Sequence, residues 1–141
     1  MDIHISWPGR EELRAHLELN EKGEIVRAEL LGIGGPEFVE AVKNFRSQLR
    51  GAVSGLVAPA GVKPHAIMLR ELVLRLKGEW RPPYTEDEIC HCRVISTAAV
   101  DLAICTGAHT AKQVSELTSA STACGTCRPD VEAMIRYRLA K

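Results

Sequence analysis

Apolar and polar positions alternate along the first thirty residues. Ile3, Ile5 and Trp7 form one set, Leu13, Ala15, Leu17 and Leu19 a second, and Val26, Ala28 and Leu30 a third. A period of two puts each set on one face of a half-buried strand. Residues 20–23 read as a turn, and the short polar connections make an antiparallel meander the expected pairing. After Gly32, Gly34 and Gly35 the period changes. Pro36 suits the first position of a helix with Phe38, Ala41, Val42, Phe45 and Leu49 on one side, and Gly51 is its expected stop. Pro64 opens a second helix with Leu69, Leu72, Val73 and Leu76 on one face. A three-stranded antiparallel sheet covered by two helices, an α+β arrangement, is therefore expected for residues 1–78.

Residues 79–87, with two prolines among polar side chains, read as a linker. Beyond them, residues 88–141 carry a helical pattern. Ser96 suits a cap for a helix using Val100, Ala103 and Ile104, and Thr110 with Gln113 makes a capping box ahead of Val114 and Leu117. Pro129 starts a third helix whose inward face is Val131, Met134, Ile135 and Leu139. Its acidic residues fall in the first turn and its basic residues near the end, complementing the macrodipole.

Composition narrows the function classes. With 45% hydrophobic and 26% charged residues the chain reads as globular rather than disordered. Charges of the two signs balance on both sides of Trp80, and aromatic residues are 4% of the chain, so nothing favours nucleic acid as a partner. No apolar run is long enough for a membrane helix and no secretory pattern opens the chain, so a cytoplasmic protein is expected. No serine–histidine–acid set and no spaced carboxylate pair suggests hydrolysis, and the chain is not expected to be an enzyme.

The candidate chemistry lies in cysteine. All five cysteines fall between residues 90 and 127, an odd number that suits metal ligation in a reducing compartment better than a disulfide framework. Cys90 and Cys92 form a C-x-C pair, Cys124 and Cys127 a C-x-x-C pair, and 31 residues separate the two. In an extended segment Cys90 and Cys92 project to one side while His91 points away. Gly125 lets the second pair turn tightly, and the helix opened by Pro129 offers its positive end to thiolates. Four thiolates suit a 2Fe-2S cluster or a tetrahedral zinc ion. The unequal pairs are less typical of zinc ribbons, which favours the cluster without excluding zinc. Cys105 is expected to be buried filler.

The stretch ICHCRVISTAAVDLAICTGAHTAKQVSELTSASTACGTCRPDVEAMI resembles the bacterioferritin-associated ferredoxin family, also found as the central domain of NifU. I-C-x-C, Ser96, the central Thr-Gly, the C-G-x-C turn and the following Pro-Asp-Val-Glu carry the likeness. It implies a small helical fold with one 2Fe-2S cluster on Cys90, Cys92, Cys124 and Cys127, and a protein partner for redox or iron–sulfur assembly.

The first half is similar to the U-type assembly scaffolds NifU and IscU in LELNEKGEIVRAELLGIGG and VKPHAIMLRE. The three scaffold cysteines of that family align with Gly9, Gly35 and Ala66, leaving His65 and, near the family's acidic position, Glu11. The likeness therefore implies the fold and a docking or structural role, without scaffold chemistry. A phosphate-loop reading of GIGGPE fails for want of a Lys-Ser/Thr, and a turn requiring positive φ is the simpler expectation for its glycines.

Overall fold

The computed structural model describes residues 1–91, 93–120, 125 and 127–139. Two units divide the chain, Met1–Trp80 and Arg81–Lys141.

In the first unit β1 (Asp2–Ser6), β2 (Glu12–Leu19), β3 (Glu24–Ile33) and β4 (Gly51–Ala52) form one antiparallel sheet in the order β1-β2-β3-β4. Ile5 opposes Leu13, and Ala15 opposes Leu30. The alternation sets this register, because a slip of one residue would turn Leu13, Ala15 and Leu17, all buried, out to solvent. Three strands follow the expected periods except at Val26, expected inward but 63% exposed, beside the point where the register with β2 shifts at Glu18 and Leu19. The fourth corrects the expected three-stranded sheet: two residues are too few to show a period, and Gly51, expected to stop a helix, pairs with Ile25 instead.

Helix α1 (Pro36–Phe45) begins at its expected proline and buries Phe38, Val42 and Phe45. A 3-10 turn over Arg46–Gln48 follows, and Leu49 is buried just beyond it. Helix α2 (Pro64–Leu76) is buried on almost every side, including at Arg70 and Glu71. Burial of those charges is met by bonds: Arg70 Nε donates to Pro59 O at 2.9 Å and Nη2 to Gly61 O at 2.6 Å, while Glu71 accepts from Arg75 Nε at 2.7 Å.

The glycines before α1 correct another expectation. Gly32, Gly34 and Gly35 all lie outside the positive-φ region. Gly32 sits inside β3, where a Cβ would stand 2.9 Å from Val42 Cγ2; at Gly34 it would stand 3.0 Å from Phe38 Cδ1 and 3.1 Å from Glu11 Cγ. Close approach of α1 to the sheet, rather than a special turn, demands two of the three.

The second unit opens with a feature that the helical pattern hid, a hairpin of β5 (Glu88–Cys90) and β6 (Ile95–Ser96). Helices α3 (Thr97–Cys105), α4 (Ala111–Thr118) and α5 (Arg128–Arg138) follow. Both expected caps form, with Ser96 Oγ accepting from Ala99 N and Thr110 Oγ1 from Gln113 N, each at 3.1 Å. Gln113 Oε1 reaches back to His109 N at 2.8 Å. Ile89, Val100, Ile104, Val114, Val131 and Met134 make the core of this unit. Residues 81–87, expected as linker, are bonded into it: Arg81 N donates to Tyr137 Oη at 2.7 Å, and Asp87 O accepts from Thr97 N at 2.7 Å. No helix among the described residues is long and apolar enough to cross a membrane.

Candidate metal centre

Cys90 is the last residue of β5 and stands opposite Ile95. Its side chain turns into the core and the residue is 2% exposed. Alternation along the strand sends His91 the other way: its side chain is 68% exposed and Nδ1 lies 2.8 Å from Glu88 Oε1. The hairpin reverses through Val94, which takes φ +54, an unusual conformation for a β-branched residue, and leaves its side chain in solvent.

Cys127 stands at a turn into α5. Gly125 has φ +71, where a side chain would be strained, and Arg128 N donates back to Gly125 O at 3.1 Å. Cys127 is the residue before the helix, and its carbonyl accepts from Val131 N at 3.0 Å. With proline in the first turn, the helix starts immediately after the sulfur ligand candidate, so its positive end faces that neighbourhood. Arg128 is turned along the helix to Glu132, Nε to Oε1 2.8 Å.

One cysteine from each pair enters the same apolar cluster. Cys90 and Cys127, 2% and 5% exposed, both belong to the core with Ile89, Val100, Ile104, Val131 and Met134. Soft sulfur donors brought together from two chain segments, in surroundings that offer a bare thiolate little solvation, fit a thiophilic metal or iron–sulfur group. Cys92 and Cys124 lie outside the described residues. Among the described residues no three His, Cys, Asp or Glu side chains gather to hold a metal ion; only two of the four expected ligands fall among them.

The other candidates separate from this place. Cys105 ends α3 and is 1% exposed, but it is not part of the cluster that holds Cys90 and Cys127. His109 lies before α4 with Nε2 buried and without a hydrogen-bond partner among the described residues. In the first unit Gly9 sits in a turn at φ +73, Gly35 precedes α1, and Ala66 is buried in α2. His65, in the first turn of α2, has Nε2 3.8 Å from Glu37 Oε1, and Glu11 Oε2 is buried with Arg10 Nε 3.6 Å away. What periodicity could not reveal is the hairpin around the C-x-C pair, whose second strand is two residues long.

No curated protein and no solved structure matches the chain. No family match covers residues 1–87; residues 88–136, which contain all five cysteines and the whole of the second unit's core, match the BFD-like [2Fe-2S] binding domain.

Proposed function

We propose that Cys90, Cys92, Cys124 and Cys127 hold one 2Fe-2S cluster, and that the chain exchanges single electrons with a protein partner in the cytoplasm rather than acting as an enzyme. The observation that carries this reading is the burial of Cys90 and Cys127, one from each pair, in a single apolar cluster inside the family-matched region. Bound there, a 2Fe-2S cluster supplies a one-electron couple.

The chain's own residues account for the rest. Ile89, Val100, Val131 and Met134 keep water from the two described sulfurs. The start of α5 directs its positive end toward sulfur that must be anionic to ligate. His91 and Glu88, bonded to each other on the exposed side of the hairpin, give that edge a polar surface for a partner. A carrier role in iron–sulfur assembly rests on the pairing of a scaffold-like first half with the BFD-like region, and no family match accompanies that first half.

Anaerobic purification with iron, sulfide and zinc quantified, followed by EPR after dithionite, tests the reading. Iron and sulfide in equal amounts, with a reducible centre, are expected. Zinc without sulfide would replace the cluster by a structural zinc site, and an iron–sulfur centre that cannot be reduced would end the electron-transfer role.

A further inference from the structure

The segment that carries Cys90 is weakly fixed by its own sheet. Strand β5 has three residues and β6 two, and the register between them shifts between Glu88 and Cys90. So short a ladder leaves a ligand strand free to fray. The missing restraint comes from outside the family-matched region, which begins at residue 88.

Residues 81–87 run as a strap ahead of the hairpin, and three successive carbonyls at its end are held. Thr97 Oγ1 donates to Glu86 O at 2.5 Å, Thr97 N to Asp87 O at 2.7 Å, and Tyr84 Oη to Glu88 O at 2.6 Å. Glu86 Oε2 lies 3.1 Å from the same phenol oxygen, but the hydroxyl has one proton and the shorter contact takes it. The Tyr84 ring also packs against the core that contains Cys90 and Cys127. At its other end the strap is tied to α5, where Tyr137 Oη accepts from Arg81 N at 2.7 Å. One strap thus joins the strand that leads into the first cysteine pair to the helix that leads away from the second.

We infer that residues 81–87 are part of the ligand-holding machinery, with Tyr84 and Thr97 acting as positioning residues for Cys90. The inference rests on the cluster reading above. Both act by fixing the backbone two to four residues ahead of Cys90. Removing such outer supports loosens metal sites by about 10-fold.

The full-length chain, loaded anaerobically with iron and sulfide, is compared with Tyr84→Phe, Thr97→Val and Thr106→Val. Tyr84→Phe keeps the ring, and Thr97→Val keeps the backbone bond to Asp87. Thr106→Val is the control: it removes a hydroxyl bond of the same kind, Oγ1 to Leu102 O at 2.7 Å, at the far end of α3. Cluster loss to a chelator should be about 10-fold faster in the two strap variants, with altered EPR g-values, and unchanged in the control. Equal loss rates and spectra in the strap variants and the parent would overturn the inference, as would equal acceleration by the control. If the parent itself takes up no iron and sulfide, the cluster reading fails. Backbone hydrogen exchange over residues 88–90 then decides: faster exchange in both strap variants supports the strap, and equal exchange overturns it.

Discussion

Arg138 grips Asp101 with two parallel bonds, Nε to Oδ1 and Nη2 to Oδ2, each 2.7 Å, and so locks α5 onto α3. The Arg138 side chain is 7% exposed and that of Asp101 31%. The planar fork suits bidentate pairing, and its burial makes loss of the partner expensive. Asp101→Ala should therefore destabilise the second unit by about 2–3 kcal/mol, since two charge-assisted hydrogen bonds between the helices are lost. Urea unfolding followed by far-ultraviolet circular dichroism would read the loss. A variant as stable as the parent would mean that the pair is solvated rather than structural.

Two glycines three residues apart should behave differently. At Gly32 a Cβ would stand 2.9 Å from Val42, whereas at Gly35 it meets nothing within 4 Å and φ is −68. Gly32→Ala should cost about 1–3 kcal/mol by forcing α1 off the sheet, and Gly35→Ala should be close to neutral. Trp7, 5% exposed beside β1, offers a fluorescence probe of unfolding in that unit. Similar costs for both variants would remove close packing as the reason for Gly32.

Why the glycines misled the sequence reading is physical. A glycine needed for positive φ and one needed for close approach look the same in one dimension, and only the tertiary crossing of α1 over β3 separates them. Periods of two and three-to-four residues exposed β1 to β3 and the buried sides of α1 and α5, because there the hydrophobic effect acts on one face over several turns or pleats. Strands β4 and β6, each two residues long, are set by their neighbours and carry no period. At the site, the cysteine spacing points to Cys90, Cys92, Cys124 and Cys127, of which Cys90 and Cys127 fall among the described residues and share one apolar cluster, and the alternation places His91 outward. The bonds that fix Glu86, Asp87 and Glu88 were hidden, since they join a proline-containing segment to a helix start and depend on folding.

Cys105 should be dispensable for cluster content. It is buried at the end of α3 and is not a member of the core cluster shared by Cys90 and Cys127. Cys105→Ala should retain the visible spectrum, with a stability loss of about 1 kcal/mol from the vacated volume. Cys90→Ala or Cys127→Ala should abolish the spectrum. If Cys105→Ala bleaches as they do, the ligand set must be redrawn.

His16 and Asp2 give the first unit a pH dependence with a definite sign. The two face each other across β1 and β2, with Glu29 on the third strand, Glu18 at 3.8 Å and the chain's amino group nearby. The hydrogen bond to Asp2, then its charge, raises the His16 pKa above 6.5, and the same bond lowers that of Asp2 below 3.8. A raised histidine contributes stability that is complete below its unfolded value and is lost as pH rises through the folded one. For the lowered aspartate the loss comes as pH falls through its folded value. The pair is thus strongest between the two, and the melting temperature should fall from about pH 6 to about pH 8.5 by more in the parent than in His16→Gln. Because both groups are solvent-exposed the difference is small and should shrink in salt. Parallel pH profiles for parent and variant would refute it.

Val94 holds a left-handed backbone at φ +54 in the hairpin that carries the first cysteine pair, with its side chain 73% exposed. A β-branched residue there is strained by about 1–2 kcal/mol, and so exposed a side chain returns little of that through burial. Glycine would remove the strain but would also lose more chain entropy on folding, about 0.5–1 kcal/mol, which offsets much of the gain. Asparagine tolerates the left-handed region without that entropy loss. Val94→Asn should therefore stabilise the second unit by about 1 kcal/mol, with Val94→Gly between it and the parent. Denaturant midpoints of the three proteins before iron loading would establish the order. A parent more stable than Val94→Asn would show that the isopropyl group makes packing contacts strong enough to outweigh the backbone strain.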